Sequence, residues 1–232
     1  MIKTDKILFF DIETTSQYPD WQSFLLNDRD GGSVFKLKHE RAKSNNNHQW
    51  SDDIEIAYKK MGSLIPEFGK IIVFSYGLLV DGIFKTVTKT ENDFDNEKAL
   101  MEYIAKAFKR VDELNIYIGG HNIKEFDIPF IFKRLLKFGI KIPRSLNFID
   151  KKPWEIVLCD TALLTKGTSN IVSSLSDVTH LLGLKSPKDD ISGAEVHTVY
   201  WNDKNLNRIA IYCEKDVIAV KEIYEKLFDC LN

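Results

Sequence analysis

Three stretches of the chain put carboxylates where folded proteins seldom leave them. Asp11 and Glu13 close the apolar run Lys6-Ile-Leu-Phe-Phe-Asp11, with one residue between them. Side chains alternate along a strand, so both acids project from one face near the core of a sheet. Their repulsion there is costly without a counter-charge, and a divalent cation held by oxygen ligands is the natural one. A solvent-exposed strand end, with Glu13 capping a turn, would show the same two residues. The second stretch is Gly119-Gly120-His121-Asn122, followed by Phe126-Asp127. Paired glycines permit unusual backbone angles or close approach of a neighbouring strand. Asp127 falls at the start of a helix, where the dipole also favours an acid for structural reasons alone. His121 reads as a loop histidine rather than a ligand.

The third stretch is Tyr212-Cys-Glu-Lys-Asp216. Leu206, Ile209, Ala210, Cys213, Val217, Val220, Ile223 and Leu227 make an apolar stripe at helical spacing. At roughly 100° per residue, Tyr212 and Asp216 lie about 60–100° to one side of that stripe, stacked four residues apart. A half-buried acid beside a phenol suits a metal site on a helix. A peripheral Tyr and Asp on a charged helix is the plainer alternative.

The elements that must position these groups follow from periodicity. The run ending at Asp11 is a buried strand. About 50 residues without strong periodicity follow, including Gly31-Gly32 and Asn45-Asn46-Asn47; residues 16–69 read as an insertion with a mobile loop and some short helices. Residues 70–80 form a strand, Asp81-Gly82 a hairpin turn, and 83–88 its antiparallel partner. Steps of three and four from Leu100 to Val111 mark an amphipathic helix over 96–111. Residues 116–118 form a strand broken by Gly119 and Gly120, and 128–138 a helix with Pro129 in its first turn and Gly139 past its end. Residues 155–159 form a fifth strand, Ser174 opens a short helix as a capping box with Asp177, and the last helix covers 203–231. Strands joined by crossover helices run parallel, whereas the hairpin is antiparallel. The expected fold is α/β, a mixed five-stranded sheet flanked by helices, in one domain over residues 1–232.

Composition bounds the function. Of 232 residues, 44% are hydrophobic and 28% charged, enough for a packed core and against global disorder. No apolar run approaches the roughly 20 residues of a membrane span. The start, Met1-Ile-Lys-Thr-Asp-Lys6, lacks the apolar region of a secretory signal. Cys159, Cys213 and Cys230 are odd in number and lack metal-ligand spacing, so they read as small buried hydrophobes of a reducing compartment. The expectation is a soluble cytoplasmic protein with no membrane partner. A net charge of −2 excludes a basic coat for long duplexes. Residues 124–152 nevertheless hold eight Lys/Arg against three acids, a local excess of +5. They make either a solvated helix face or a phosphate-tracking surface beside the acids.

Taken together and in this order, Asp-Ile-Glu-Thr-Thr, Asn-x3-Phe-Asp and Tyr-Cys-Glu-Lys-Asp resemble the motifs of the DEDD superfamily of 3′→5′ exonucleases, in its tyrosine subclass (DEDDy). The resemblance runs from residue 9 to about residue 220. It looks closest to the proofreading exonuclease domain of family B DNA polymerases and to stand-alone bacterial proteins predicted to be related to it. Pro66-Glu-Phe-Gly-Lys-Ile71, Leu182-Gly-Leu-Lys-Ser-Pro-Lys-Asp-Asp190 and Tyr212-Cys-Glu-Lys-Asp216 look especially like the stand-alone group.

The resemblance implies an RNase H-like architecture with Asp11, Glu13, Asp127 and Asp216 as metal-site carboxylates. Tyr212 takes the place held by histidine in the sister subclass and completes the catalytic set. Thr14 and Thr15 match positions near the terminal nucleotide, and Asn122 and Phe126 match positions that contact or wedge against the 3′-terminal nucleotides. Two-metal phosphodiester hydrolysis is implied, with Asp11 bridging both ions, Glu13 and Asp216 completing the tighter site, and Asp127 holding the second ion partly through water. Tyr212 would orient the attacking water, since a phenol of ordinary pKa about 10 is a poor base. Two Mg²⁺ ions suit such ligands, with Mn²⁺ expected to substitute. The implied partner is nucleic acid with a single-stranded or frayed 3′ end, DNA favoured, and the products are nucleoside monophosphates. The chain departs from the family in the long insertion, and no polymerase palm or fingers follow, so proofreading would act in trans. An RNA-trimming exoribonuclease with the same site, or an inert nucleic-acid-binding module on the same fold, are the alternatives.

Overall fold

Strand β1 (Ile7–Ser16) does not stop at Asp11 but continues for five more residues. Ile12, Thr14 and Thr15 are β-branched, and the strand is central, with neighbours along both edges and side chains buried on both faces. The computed structural model describes residues 1–45, 47–149, 151–187 and 190–231. Asp150 of the basic segment, and Lys188 and Asp189 of the 182–190 stretch, lie outside these.

Residues 16–69 hold three helices, α1 (Trp21–Asn27), α2 (Arg29–Ser44) and α3 (Ile54–Leu64), so the helices expected there beside a loop make up most of the segment. Each begins at an aspartate: Asp20, Asp28 and Asp53 accept from backbone N–H groups of the first turn. Gly31 and Gly32 lie within α2 rather than in a loop. An aromatic cluster of Trp21, Phe24, Phe35, Tyr58 and Phe68 fills the space between these helices and makes them a packed layer.

Strands β2 (Gly69–Val80) and β3 (Ile83–Thr90) form the expected hairpin. Asp81 and Gly82 both take positive φ, 54° and 77°, the pairing a tight two-residue turn demands. Helix α4 (Glu97–Leu114) is capped by Asn96, whose side chain accepts from the Ala99 N–H. In β4 (Tyr117–Gly120) the glycines are part of the strand and do not break it. A Cβ on Gly120 would sit 2.1 Å from a methyl of Ile123 and 3.0 Å from the Phe10 carbonyl oxygen, so only glycine lets β4 press against β1 there.

Helix α5 (Asp127–Lys137) matches the sequence reading, and Gly139 follows it at φ 64°. Strand β5 (Cys159–Asp160) is only two residues long and pairs with Gly119 and Gly120 of β4. Residues 153–155 form a 3₁₀ turn instead of strand. Helices α6 (Thr161–Lys166), α7 (Leu175–Leu181) and α8 (Val196–Trp201) lead to α9 (Leu206–Leu231). The last helix begins at 206 rather than 203 because Lys204 adopts φ 54°, which no α-helix admits.

The sheet order is β3-β2-β1-β4-β5, with β2 antiparallel to β1 and with β4 and β5 parallel to it. Leu8, Phe10 and Ile12 pack under α4 and α5 with Phe108 and Ile131, while Ile7 and Phe9 pack under α9 with Val217, Val220 and Ile223. Cys159 and Cys213 are buried as expected, but Cys230 is exposed near the end of α9. Among the described residues no helix is long and apolar enough to cross a membrane.

Candidate active site

Alternation along β1 decides which helix each side chain meets. Asp11 and Glu13 continue the Ile7–Phe9 series and therefore turn toward α9. There they meet Tyr212, Cys213 and Asp216, all buried. Carboxylate oxygens of Asp11 and Glu13 and the Cys213 sulfur lie within 4.8 Å of one another. The Cys213 thiol donates to Oδ2 of Asp11 over 3.2 Å. Tyr212 and Asp216, one turn apart on α9, are joined by a side-chain hydrogen bond. Glu13, Asp127 and Asp216 are buried, and Asp11 alone keeps intermediate exposure.

Asp127 enters from the other side of the sheet. Its Oδ1 accepts from the backbone N–H of Ile12 at 3.2 Å, which fixes the start of α5 between the two strand acids. The approach loop is held by Asp160 at the end of β5. Its carboxylate accepts from the N–H groups of Asn122 (2.8 Å), Lys124 (3.1 Å) and Ala162 (3.0 Å). The sequence reading assigned Asp160 no part. The available signal was an acid closing a short strand, the same signal that drew attention to Asp11.

Electrostatics follow from this crowding. Burial raises the Asp11 carboxyl well above its usual range, and Asp127, Glu13 and Asp216 raise it further against the opposing Cys213 hydrogen bond. Asp127 is pushed up to about 7, mainly by burial, with Asp160 and Asp216 adding and the Ile12 N–H opposing. Burial, then Asp216, Glu13 and Asp11, raise the Tyr212 phenol far above its ordinary value. The Cys213 thiol is likewise raised, by burial and then by Asp11 and Glu13, so it stays protonated. The Cys213 sulfur lies beside the Asp11 and Glu13 carboxylates, and with Asp127 and Asp216 nearby the donor set is mainly carboxylate oxygen. Such a set fits a hard divalent cation, whose charge would offset the repulsion among these acids.

The four positions expected near a nucleotide divide in two. Thr14 and Phe126 line a cavity of about 610 Å³ together with Glu13. Thr14 also donates its hydroxyl to the Ser63 carbonyl over 2.7 Å. Thr15 is fully buried, and its hydroxyl has no hydrogen-bond partner among the described residues. Asn122 takes φ 62° and serves the loop through its backbone; neither it nor Thr15 lines that cavity.

The basic segment does not form one surface beside the acids. Lys133 pairs with Glu67 at 2.7 Å, Arg134 is buried on Glu97, and Lys137 lies over the Phe138 ring. Arg144 and Lys151 stand beside Tyr117, which pairs with Ile7 of β1. Ile7 lies four residues before Asp11, about 13 Å at roughly 3.3 Å per residue.

A family model of the RNase_H superfamily, RNase_H_2, matches residues 53–228, about three quarters of the chain. The match includes Asp127, Tyr212 and Asp216, while Asp11 and Glu13 precede it. No curated protein matches the chain.

Proposed function

The chain belongs to the RNase H superfamily, and we propose that it is a metal-dependent 3′→5′ exonuclease acting on single-stranded or frayed nucleic acid, with DNA favoured. Superfamily membership points to hydrolysis of nucleic acid. The finer reading rests on one observation: carboxylates from a strand, a helix start and a C-terminal helix lie close enough that Glu13, Asp127 and Asp216 all act on Asp11, and Tyr212 is bonded to Asp216. Asp11, Glu13, Asp127 and Asp216 would hold two divalent cations, Mg²⁺ or Mn²⁺, which supply Lewis-acid activation of water and stabilise the leaving oxygen.

The chain's own residues then set orientation and access. Tyr212 stays a neutral phenol, so it orients water through a hydrogen bond and does not take its proton. Phe126, half-buried at the rim of the cavity, offers a ring on which a terminal base stacks. Digestion of 5′-labelled single-stranded DNA and RNA, with and without Mg²⁺, tests the reading. It requires metal-dependent ladders that shorten from the 3′ end. Internal cuts, or no cuts with either sugar, would exclude it.

Tyr212→Phe keeps the ring and deletes the hydroxyl. Turnover should fall about 10- to 100-fold with KM changed less than threefold, the pattern of an interaction made mainly in the transition state. A change confined to KM would make Tyr212 a packing residue.

Asp127→Asn tests the carboxylate crowding without reference to activity. An acid whose folded pKa is raised costs nothing below its unfolded pKa near 4, destabilises the native state progressively as pH rises from there to the folded value, and exerts its full cost above it. Without metal, the variant should therefore be more stable than the parent at pH 8, on the order of 1–3 kcal/mol, and the gap should close as pH falls through 7 toward 4. At pH 8, Mn²⁺ should stabilise the parent more than the variant, by mass action on an intact site. Thermal unfolding reads both effects, and a gap independent of pH would contradict the raised Asp127.

A further inference from the structure

The insertion takes part in the cleft. Helix α3 presents Ile56, Lys59, Lys60, Ser63 and Leu64 to the cavity that contains Glu13, Thr14 and Phe126. Their spacing of i, i+3, i+4, i+7 and i+8 is one helical face, while Ala57, Tyr58 and Met61 bury the opposite one. Ile56 and Leu64 remain 55% and 47% exposed in that face, an apolar surface without cover. Lys60 has no ion-pair partner among the described residues, and Lys59 pairs only loosely with Glu55 at 3.5 Å within its own helix.

This wall is fixed to the strand that carries the acids. Ser63 receives the Thr14 hydroxyl on its carbonyl and the Ser16 N–H on its own hydroxyl, at 2.7 and 3.1 Å. The opposite wall, with Ala194, His197 and Thr198, leads into α8, whose Trp201 indole donates to the Ser16 carbonyl at 3.3 Å. His197 bonds through its ring to the Pro19 backbone and leaves Nε2 without a partner among the described residues. The cavity is therefore walled on two sides, carries two cations, and opens onto Glu13.

We infer that α3 is a nucleic-acid-binding wall: Lys59 and Lys60 take backbone phosphates of the strand whose 3′ end reaches Glu13, and Ile56 and Leu64 cover a base opposite Phe126. A positive groove with apolar faces for bases is the chemistry that holds a single strand without reading its sequence. The volume of about 610 Å³ lies within the range of small-ligand sites, which limits the guest to a few nucleotides and excludes a duplex. The inference rests on the nuclease reading for the identity of the guest.

The test is equilibrium binding of a fluorescent single-stranded oligonucleotide in EDTA, where no hydrolysis occurs, over a salt series. Lys59→Glu/Lys60→Glu should weaken binding at least tenfold and lower the log–log salt slope by about 1.4, roughly 0.7 for each lost phosphate contact. Lys106→Glu/Lys109→Glu reverses two charges on exposed α4, remote from the acids, and should leave affinity and slope as in the parent. Both lysine pairs are exposed, and thermal unfolding confirms that the variants fold. Equal weakening by the two pairs would mean net charge alone matters, and unchanged binding in the α3 variant would remove α3 from the site. Either outcome overturns the inference yet leaves the nuclease reading intact if the parent still produces 3′-shortened ladders. A parent that shortens no strand but loses binding through Lys59 and Lys60 would fail as a nuclease and keep the wall.

Discussion

Replacing Asp11 with alanine is expected to lower phosphodiester hydrolysis by about 1,000-fold or more while the protein folds normally. Asp11 is the most accessible of the four acids, lies within 4.8 Å of Glu13 and accepts from the Cys213 thiol. If Asp11 is a ligand shared by two cations, as proposed, its loss removes several kcal/mol of transition-state stabilisation, at about 1.4 kcal/mol for each factor of ten. The same change relieves repulsion among Glu13, Asp127 and Asp216, so metal-free protein should melt higher than the parent. Added Mn²⁺ should then stabilise the variant less than the parent. Single-turnover assays and thermal unfolding measure these effects separately. Near-normal hydrolysis by the variant would end the carboxylate assignment.

Arg134→Ala should have the largest effect on stability. Arg134 is 1% exposed and grips Glu97 with two hydrogen bonds of 2.7 and 2.6 Å, while a third of 2.8 Å goes to the Pro66 carbonyl. It thus joins α5, the start of α4 and the segment that leads from the insertion into β2. Removing one member of a buried pair strands the other, at a cost of about 3–5 kcal/mol. For a chain of this size that corresponds to a fall in Tm of roughly 10 °C. Lysine cannot replace the planar fork and should recover little. Arg134→Met combined with Glu97→Met should recover much of the loss, because neither charge is then left behind. A double variant as unstable as the alanine single would show that the Pro66 contact, not the ion pair, dominates.

The two halves of the acid cluster carried by β1 and α9 were legible because each rests on a strict period. Asp11 and Glu13 stand two positions apart on a strand, and Tyr212 and Asp216 four positions apart beside an unbroken apolar stripe. Asp127 was legible as a helix start, but its bond to the Ile12 N–H joins residues 115 positions apart and has no local signature. Helix α3 escaped notice because it carries two apolar stripes, Ala57–Tyr58–Met61 inward and Ile56–Leu64 toward the cleft, and two stripes blur into no period. Helices α6 and α8, six residues each, are too short to show one. In sequence the basic segment leaves a solvated face and a phosphate-tracking surface both open, because charge is summed along the chain, whereas Lys133 and Arg144 line separate cavities.

The shortest strand has the longest reach. With three backbone amides converging on one buried carboxylate, Asp160 makes β5 less a strand than a clasp for the loop that delivers Asn122, Phe126 and Asp127. Most of the freedom of that loop is surrendered when the chain folds, so a guest arriving at the cleft meets a shape already set and has little left to order. Recognition at this rim should therefore resemble a key entering a cut lock, with discrimination governed by which strand ends already fit.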